Sequence, residues 1–294
     1  MPATVERRYS ILIVNPNTST HMTESLIPIL ENLNFSDVLF DFFTAPSKPV
    51  TLPDGRIIDG VPSINSGEDS VKSALHCMPF LEPLIRQYDG FLVACYSAHP
   101  LVGMLKTAIA NLGINALTGG TLGPEGTRKY VTGIFEASVV TSVSLTSSFH
   151  LIGDVGFGKA QAKDTFGIVS TGSVWKDELS QAVTKMLVNP EDDRDSTRRF
   201  AGVETTGLTA FELHTTPPDE VKRRVSKATE RLIKNTSDPV TAICMGCAGM
   251  AGMEEAVREG CIKAYGLQQG NRVRIIDGVV AGAGLLVTSC KAGF

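Results

Sequence analysis

The amino-acid sequence predicts an α/β protein made of two similar halves, each with a largely parallel sheet covered by helices on both faces. Two observations lead there. Short apolar runs of strand length alternate with longer segments of helical periodicity, the pattern of consecutive β-α-β units. The chain also repeats itself. Tyr9-Ser10-Ile11-Leu12-Ile13-Val14-Asn15 and Thr165-Phe166-Gly167-Ile168-Val169-Ser170-Thr171-Gly172 are both apolar strands that end in polar residues and lead into a helix. Downstream of each lies a second apolar strand ending near a cysteine. Cys95 follows Asn15 by 80 residues and Cys247 follows Ser170 by 77, so each half carries one such cysteine. At 294 residues the chain has room for two moderate domains.

Taken in order, a strand at Ser10–Asn15 and a helix at His21–Leu33 lead to a strand at Val38–Phe43. Thr44–Ser66 is dense in Gly, Pro and Thr and predicts a loop. A helix over Val71–Tyr88 contains Pro79 and Pro83, which should kink or split it. The strand Gly90–Cys95 leads to a helix over Leu101–Leu112, with Pro100 suited to its first turn. A second loop is predicted at Asn115–Tyr130 and a helix at Glu136–Leu145. The second half runs through strand Phe166–Ser170, helices Trp175–Val188 and Asp219–Lys234, strand Val240–Met245 and helix Met253–Tyr265. Strand Arg272–Asp277 and helix Gly278–Ser289 close the chain.

Composition narrows the function classes. The formal charge is −4 with both signs scattered, so no basic stripe offers itself to nucleic acid. Lys222, Arg223, Arg224, Lys227 and Arg231 lie at helical spacing beside Glu220 and Glu230 and read as a solvated helix face. The apolar runs Ile11–Val14 and Val279–Val287 are too short to span a membrane or form a signal-peptide core, so a soluble, cytoplasmic protein is expected. The six cysteines lack the dense framework of a secreted mini-protein and are expected as reduced thiols. No Gly-x-Gly-x-x-Gly loop follows the first strand, so no nucleotide cofactor is indicated.

Ligands of parallel α/β sheets bind beyond the carboxyl ends of the strands, and Asn15, Cys95, Ser170 and Cys247 all fall there. Asn15-Pro16-Asn17-Thr18-Ser19 is a polar turn that either holds a carbonyl or anion or simply caps the next helix. Cys95 precedes Tyr96-Ser97-Ala98-His99-Pro100, where a helix start would lower its thiol pKa; His99 is either a charge partner or a packing residue. The alternative for Cys95 is a small buried hydrophobe. Cys247 lies in Met245-Gly246-Cys247-Ala248-Gly249-Met250, whose glycines permit close approach of a ligand to the backbone. Cys244 and Cys247 have the spacing of a redox dithiol or half a zinc site. No second pair completes a metal site, and a three-residue step along a strand turns side chains to opposite faces. Cys77, Cys261 and Cys290 read as core. Glu136 stands at a strand-to-helix boundary, as a cap or as a partner for substrate N–H groups.

These motifs resemble those of the hydantoin and allantoin racemases of the aspartate/glutamate racemase superfamily. The resemblance rests on Asn15–Ser19 with Met22-Thr23, Ala94-Cys95, Gly133-Ile134-Phe135-Glu136-Ala137-Ser138, Phe166–Thr171, Gly246–Met250 and Ile276-Asp277-Gly278-Val279. It implies two pseudo-symmetric three-layer α/β domains with the active site between them: residues 1–118 with 271–294, carrying Cys95, and residues 119–270, carrying Cys247. The C-terminal strand and helix would return to the first domain. It also implies a cofactor-independent racemase of a small cyclic ureide, allantoin or a 5-substituted hydantoin, working in purine and nitrogen catabolism. Cys95 and Cys247 would be catalytic. The substrate would be held by Asn15, Pro16, Asn17, Tyr96, Ser97, Ile134, Phe135, Glu136, Ser170, Thr171, Gly172, Ala248 and Gly249. No metal and no cofactor are expected, nor nucleic acid or membrane as partner; a homo-oligomer is left open. Tyr96–Pro100 departs from the bacterial enzymes, which continue after the cysteine with an acidic residue, Pro and Gly. An amino-acid racemase of the aspartate/glutamate type, a non-catalytic binding protein of the same fold and a Cys244/Cys247 thiol oxidoreductase are the competing readings.

Overall fold

The structure, a computed structural model, describes residues 8–117, 128–147, 149–152, 159–162, 164–187 and 199–294. The chain forms two compact units, Met1–Ile134 with Val279–Phe294, and Phe135–Gly278. The division expected at 118/119 falls outside the described residues, as do most of the predicted second loop and the last residue of the helix predicted to Val188.

The first unit contains β1 (Tyr9–Asn15), α1 (Thr20–Glu31), β2 (Val38–Thr44), β3 (Val50–Thr51), β4 (Ile57–Ile58), α2 (Gly67–Leu81), β5 (Gly90–Val93), α3 (Pro100–Leu117) and β6 (Tyr130–Gly133). Its sheet has the order β2-β1-β5-β6 with every pairing parallel. β1 is a run of β-branched and leucine residues buried from Ile11 onward, as a central strand covered on both faces requires. Leu12, Val14, Phe91 and Val93 pack with Ala74, Cys77 and Leu81 of α2 and with Leu101 and Leu105 of α3. Helix α2 begins earlier than its periodicity predicts, because Ser66 caps it and accepts from the Asp69 N–H. It ends at Leu81, and Pro83, which has no N–H to continue the helical ladder, lies in a 3-10 turn at Glu82–Leu84. The predicted 44–66 loop contains the antiparallel β3–β4 hairpin, and the Thr18 N–H donates to the Val61 carbonyl.

The second unit follows with α4 (Ile134–Leu145, from Phe135 onward), β7 (Phe149–Ile152), β8 (Lys159–Ala162), β9 (Thr165–Ser170), α5 (Trp175–Leu187), β10 (Phe200–Thr205), α6 (Glu212–Thr215), α7 (Pro218–Lys234), β11 (Val240–Gly246), α8 (Glu254–Tyr265), α9 (Leu267–Gly270) and β12 (Arg274–Asp277). Its main sheet is again wholly parallel, in the order β10-β9-β11-β12. In each sheet the strand order is second, first, third, fourth, so the repeat read from sequence is a repeat of topology. Val169, Ile243 and Met245 pack against Val221, Val225 and Leu232 of α7 and Val257 and Cys261 of α8.

Two segments lie elsewhere than the resemblance implies. Tyr130–Gly133 belongs to the first sheet, with Phe91 opposite Val131 and Val93 opposite Gly133. The last strand, β12, stays in the second sheet, with Ile275 opposite Ile243 and Ile276 opposite Cys244; its apolar residues find their parallel partner there. Only helix α10 (Gly278–Ala292) returns to the first unit, where Leu286 meets Gly90. Lys291 there pairs with Asp37 at 2.8 Å, and the Tyr130 hydroxyl donates to the Phe294 carbonyl.

Candidate active site

In the first unit two turns follow neighbouring strands β1 and β5. The turn Asn15–Ser19 is tightly self-bonded. The Asn15 amide donates to the Ser19 carbonyl (2.9 Å) and to Thr23 Oγ1 (3.0 Å), and its Oδ1 accepts from the Asn17 N–H. Asn17 Oδ1 accepts from the Ser19 N–H, while its Nδ2 lies 3.3 Å from Met22 Sδ. Asn15, Pro16 and Asn17 are all buried, and Ser19 caps α1. The capping reading therefore accounts for Asn15 and Ser19. Asn17 Nδ2 has only a weak sulfur acceptor here, so it retains donor capacity.

Cys95 lies two residues beyond β5, half-buried and in no disulfide. Its Sγ is 3.5 Å from Ser97 Oγ. Tyr96 and Ser97 are buried beside it. His99 is not a charge partner of this thiol. Its Nδ1 accepts from the Leu101 N–H and its Nε2 lies 3.0 Å from Ser73 Oγ. With Nδ1 an acceptor, Nε2 carries the proton, and burial depresses the imidazole to about 4, so it stays neutral. Its work is to cap the start of α3.

Helix α2 serves both turns along one face. Ser70 Oγ meets Ser97 Oγ at 3.4 Å, Ser73 meets His99, and Cys77 Sγ donates to the Pro16 carbonyl at 3.5 Å. Positions 66, 70, 73 and 77 recur at helical spacing. The polar series Ser66, Ser70, Ser73 is the signal by which sequence could have found this face. Burial pushes the Cys77 thiol up to about 12, in keeping with its reading as core.

In the second unit Cys247 occupies the equivalent place after β11, half-buried and extended at φ −162°. Burial pushes its thiol up to about 11, while the backbone N–H groups of Gly249 and Met250, directed at the sulfur, pull the other way. These N–H groups hold the sulfur itself. Gly246 is needed for close strand packing, since a Cβ there would meet Ser170 Cβ at 2.8 Å and Ile168 Cγ2 at 2.9 Å. The fully buried Ser170 donates its hydroxyl proton to the Gly246 carbonyl at 2.7 Å, so Ser170 braces the two strands. Thr171 is buried and its carbonyl accepts from the Gly207 N–H, while Gly172 is partly open. Ala248 and Gly249 are buried in the 3-10 turn after Cys247.

Sequence reading missed His214 on the short helix α6. A Cβ on Gly249 would lie 3.0 Å from His214 Nε2 and 3.6 Å from Cys247 Sγ, so the glycine keeps a notch open between imidazole and sulfur. No spacing in the sequence links residues 214 and 247; the fold brings them together. Cys244, by contrast, is fully buried against α4, 3.0 Å from Ser142 Oγ. Among the described residues no cluster of three His, Cys, Asp or Glu side chains could hold a metal ion.

Where the chain passes in sequence from the first unit to the second, Ile134 and Phe135 are almost fully buried at the start of α4, and Glu136 in its first turn is partly buried. Of the fifteen residues singled out by sequence, Cys95, Tyr96, Ser97 and the Asn15–Asn17 turn share the strand ends of the first sheet. Ser170, Thr171, Gly172, Cys247, Ala248 and Gly249 share those of the second. No helix among the described residues is long and apolar enough to cross a membrane.

Two parallel sheets of one strand order define an α/β protein with the racemase fold. An allantoin racemase structure from Pseudomonas fluorescens is similar at a TM-score of 0.65 and 19% identity, covering 97% of this chain and 92% of that one. An allantoin racemase structure from Klebsiella pneumoniae gives 0.64 and 20%, covering 97% and 89%. At these identities the likeness is one of fold. An uncharacterized protein of Schizosaccharomyces pombe is 29% identical over 278 residues, 95% of this chain and 90% of that protein. Residues 11–286 match the Asp/Glu/Hydantoin racemase family, and the chain belongs to it. It is an isomerase of the racemase/epimerase type, independent of pyridoxal phosphate.

Proposed function

We propose that the protein racemises a small cyclic ureide, allantoin or a 5-substituted hydantoin, with Cys95 and Cys247 acting on opposite faces of one stereocentre. The observation that carries this reading is the matched placement of two half-buried cysteines outside any disulfide, each just past the third strand of a sheet of order 2-1-3-4. One cysteine, as thiolate, takes the proton from the carbon between ring nitrogen and ring carbonyl. The C–H bond breaks, an S–H bond forms, and the electron pair moves onto the carbonyl oxygen. The other thiol gives its proton to the opposite face as that pair returns to carbon. Two acids of one kind make the reaction run both ways. Asn17 Nδ2, which retains donor capacity, would help hold the oxyanion, a donor worth about 3 kcal/mol in such sites. Tyr96, Ser97, Thr171, Gly172, Ala248 and Gly249 would line the substrate, and the Glu136 carboxylate would accept from its N–H groups. Asn15, Pro16, Ser170, Ile134 and Phe135 support these positions from the interior.

A neutral ring is favoured over an amino-acid dicarboxylate because the candidate set includes no Lys or Arg. The nearby allantoin racemase folds point the same way. The test incubates one enantiomer of allantoin, or of a 5-substituted hydantoin, in deuterated water. Racemisation is expected to place deuterium on the stereocentre, and Cys95→Ser and Cys247→Ser are each expected to abolish it. Full activity in either single variant would falsify the two-thiol assignment. Turnover of aspartate or glutamate instead would transfer the reading to an amino-acid racemase.

A further inference from the structure

We infer that the second unit carries a binding site for a small organic carboxylate, at the edge of its main sheet remote from Cys247. A cleft of about 590 Å³ opens there, lined by residues 240–241, 265–269 and 272–273, a volume in the range of small-molecule sites. The strands of this sheet are parallel. The cleft takes in the amino end of β11 at Val240 and the residues just before β12. Cys247 follows the opposite, carboxyl end of β11. The 7 residues of that strand, about 20 Å of extended chain, separate the two places. Binding in the cleft does not depend on proton transfer at Cys247.

The lining sorts by depth. Val240 and Val273 are buried, Thr241 and Tyr265 are half-buried, and residues 266–269 with Arg272 are exposed, Leu267 at 68%. Three polar groups of the lining have bonding capacity left over. Tyr265 Oη accepts from the Val240 N–H at 2.9 Å, and among the described residues nothing takes up its own hydrogen. Thr241 is the extra residue of a bulge in β11, where Val240 stands opposite Thr165 and Ala242 opposite Phe166. Its Oγ1 is buried with no hydrogen-bond partner. An unsatisfied buried hydroxyl is destabilising, and bulges recur beside functional sites. Arg272 is the one charged side chain of the lining, and among the described residues no carboxylate or carbonyl engages its guanidinium. With no Asp or Glu in the lining, that cation is left to an anion from solution. The buried valines and Leu267 favour an anion with a hydrocarbon body over a bare inorganic one. A small organic carboxylate meets both demands, its oxygens at Arg272 and its chain over the apolar lining.

The experiment titrates the isotope-labelled full chain with isovalerate and follows the backbone amide resonances of residues 266–269 and 247–250. Isovalerate is expected to shift the 266–269 amides saturably. Isovaleramide, which lacks the charge, and inorganic phosphate, which lacks the hydrocarbon, are each expected to bind at least about tenfold more weakly, as loss of one hydrogen bond to a charged group would give. Arg272→Gln is expected to weaken isovalerate by a similar factor and Arg272→Lys to recover part of it; this exposed residue can be changed without unfolding the chain. Cys247→Ser is expected to leave isovalerate affinity as it is. No saturation at millimolar isovalerate, equal affinity for isovaleramide, undiminished affinity in Arg272→Gln, or shifts confined to 247–250 would overturn the inference. Because the titration needs no turnover, absent racemisation with isovalerate still bound in the cleft would sink the racemase reading alone.

Discussion

The two cysteines of the candidate site have different neighbours. Cys95 faces the Ser97 hydroxyl, whereas Cys247 faces two backbone N–H groups and, across Gly249, an imidazole. Backbone donors cannot be deleted by substitution, but the space above them can be filled. Gly249→Ala is expected to fold normally, since its one tight contact would be with the far end of the exposed His214 side chain, and the Cys247 sulfur would stand at ordinary van der Waals distance. It would intrude beside the Cys247 sulfur, and kcat/KM for the cyclic ureide is expected to fall at least tenfold, about 1.4 kcal/mol. Unaltered kcat/KM in that variant would remove Gly249 and its notch from the site. Both cysteines were legible in the sequence, because apolar strand runs end beside them. His214 and Ser70 were not singled out, because their relation to the candidate site passes through space between separate elements. Ser170 illustrates the reverse. Its strand-end position reads as a ligand contact, yet its hydroxyl is spent on the Gly246 carbonyl.

At the scale of elements, α2 and α3 are joined by His99, a polar residue in the interior. Its acid-base consequence has a definite sign. The folded imidazole is held near 4 against an ordinary 6.5, so below about pH 6.5 the unfolded chain takes up a proton that the folded chain refuses. Stability is full above that pH and declines as the pH falls toward 4, by about 3 kcal/mol over the window. His99→Gln is expected to flatten this acid limb in urea unfolding measured at pH 7 and pH 4.5. An acid limb as steep as wild type would show that other groups govern it. A similar buried knot joins β10 to its helices. Burial opposes ionisation of Glu204, but hydrogen bonds from Lys176 (2.9 Å) and Arg231 (3.0 Å) outweigh it and hold the carboxyl below its usual range. That strand escaped sequence reading because Phe200–Thr205 carries Gly202 at φ +108° and the charged Glu204. Its periodicity is that of an edge strand. The β3–β4 hairpin escaped for a different reason: strands of two residues leave no period to detect.

At the scale of the whole molecule, both units bury thiols whose protons they hold tightly. Cys77 in the first unit rises to about 12, and Cys247 and Cys261 in the second to about 11, each mainly through burial. The sign is the opposite of that for His99. The unfolded chain releases these protons near pH 9 while the folded chain retains them, so stability is full below pH 9 and is lost as pH rises toward 11–12. Each thiol contributes roughly 3 kcal/mol to that loss. Thermal unfolding is therefore expected to drop in Tm above pH 9, and Cys77→Ala to reduce the slope. A Tm flat from pH 8 to 10.5 would contradict the tight burial of these thiols.

The order of apolar strand runs, the repeat and the cysteine at each repeat's downstream strand are local properties of the chain. They were therefore readable before any coordinates: an α/β protein of two like halves, with a thiol in each. Partner choice is not local. Which sheet claims Tyr130–Gly133 and Arg274–Asp277, which hydroxyl stands beside which thiol, and that an imidazole stands across Gly249 from a sulfur depend on contacts between residues tens of positions apart. Such contacts form only when packing closes the loops between them, and that is why the tertiary structure alone decides them.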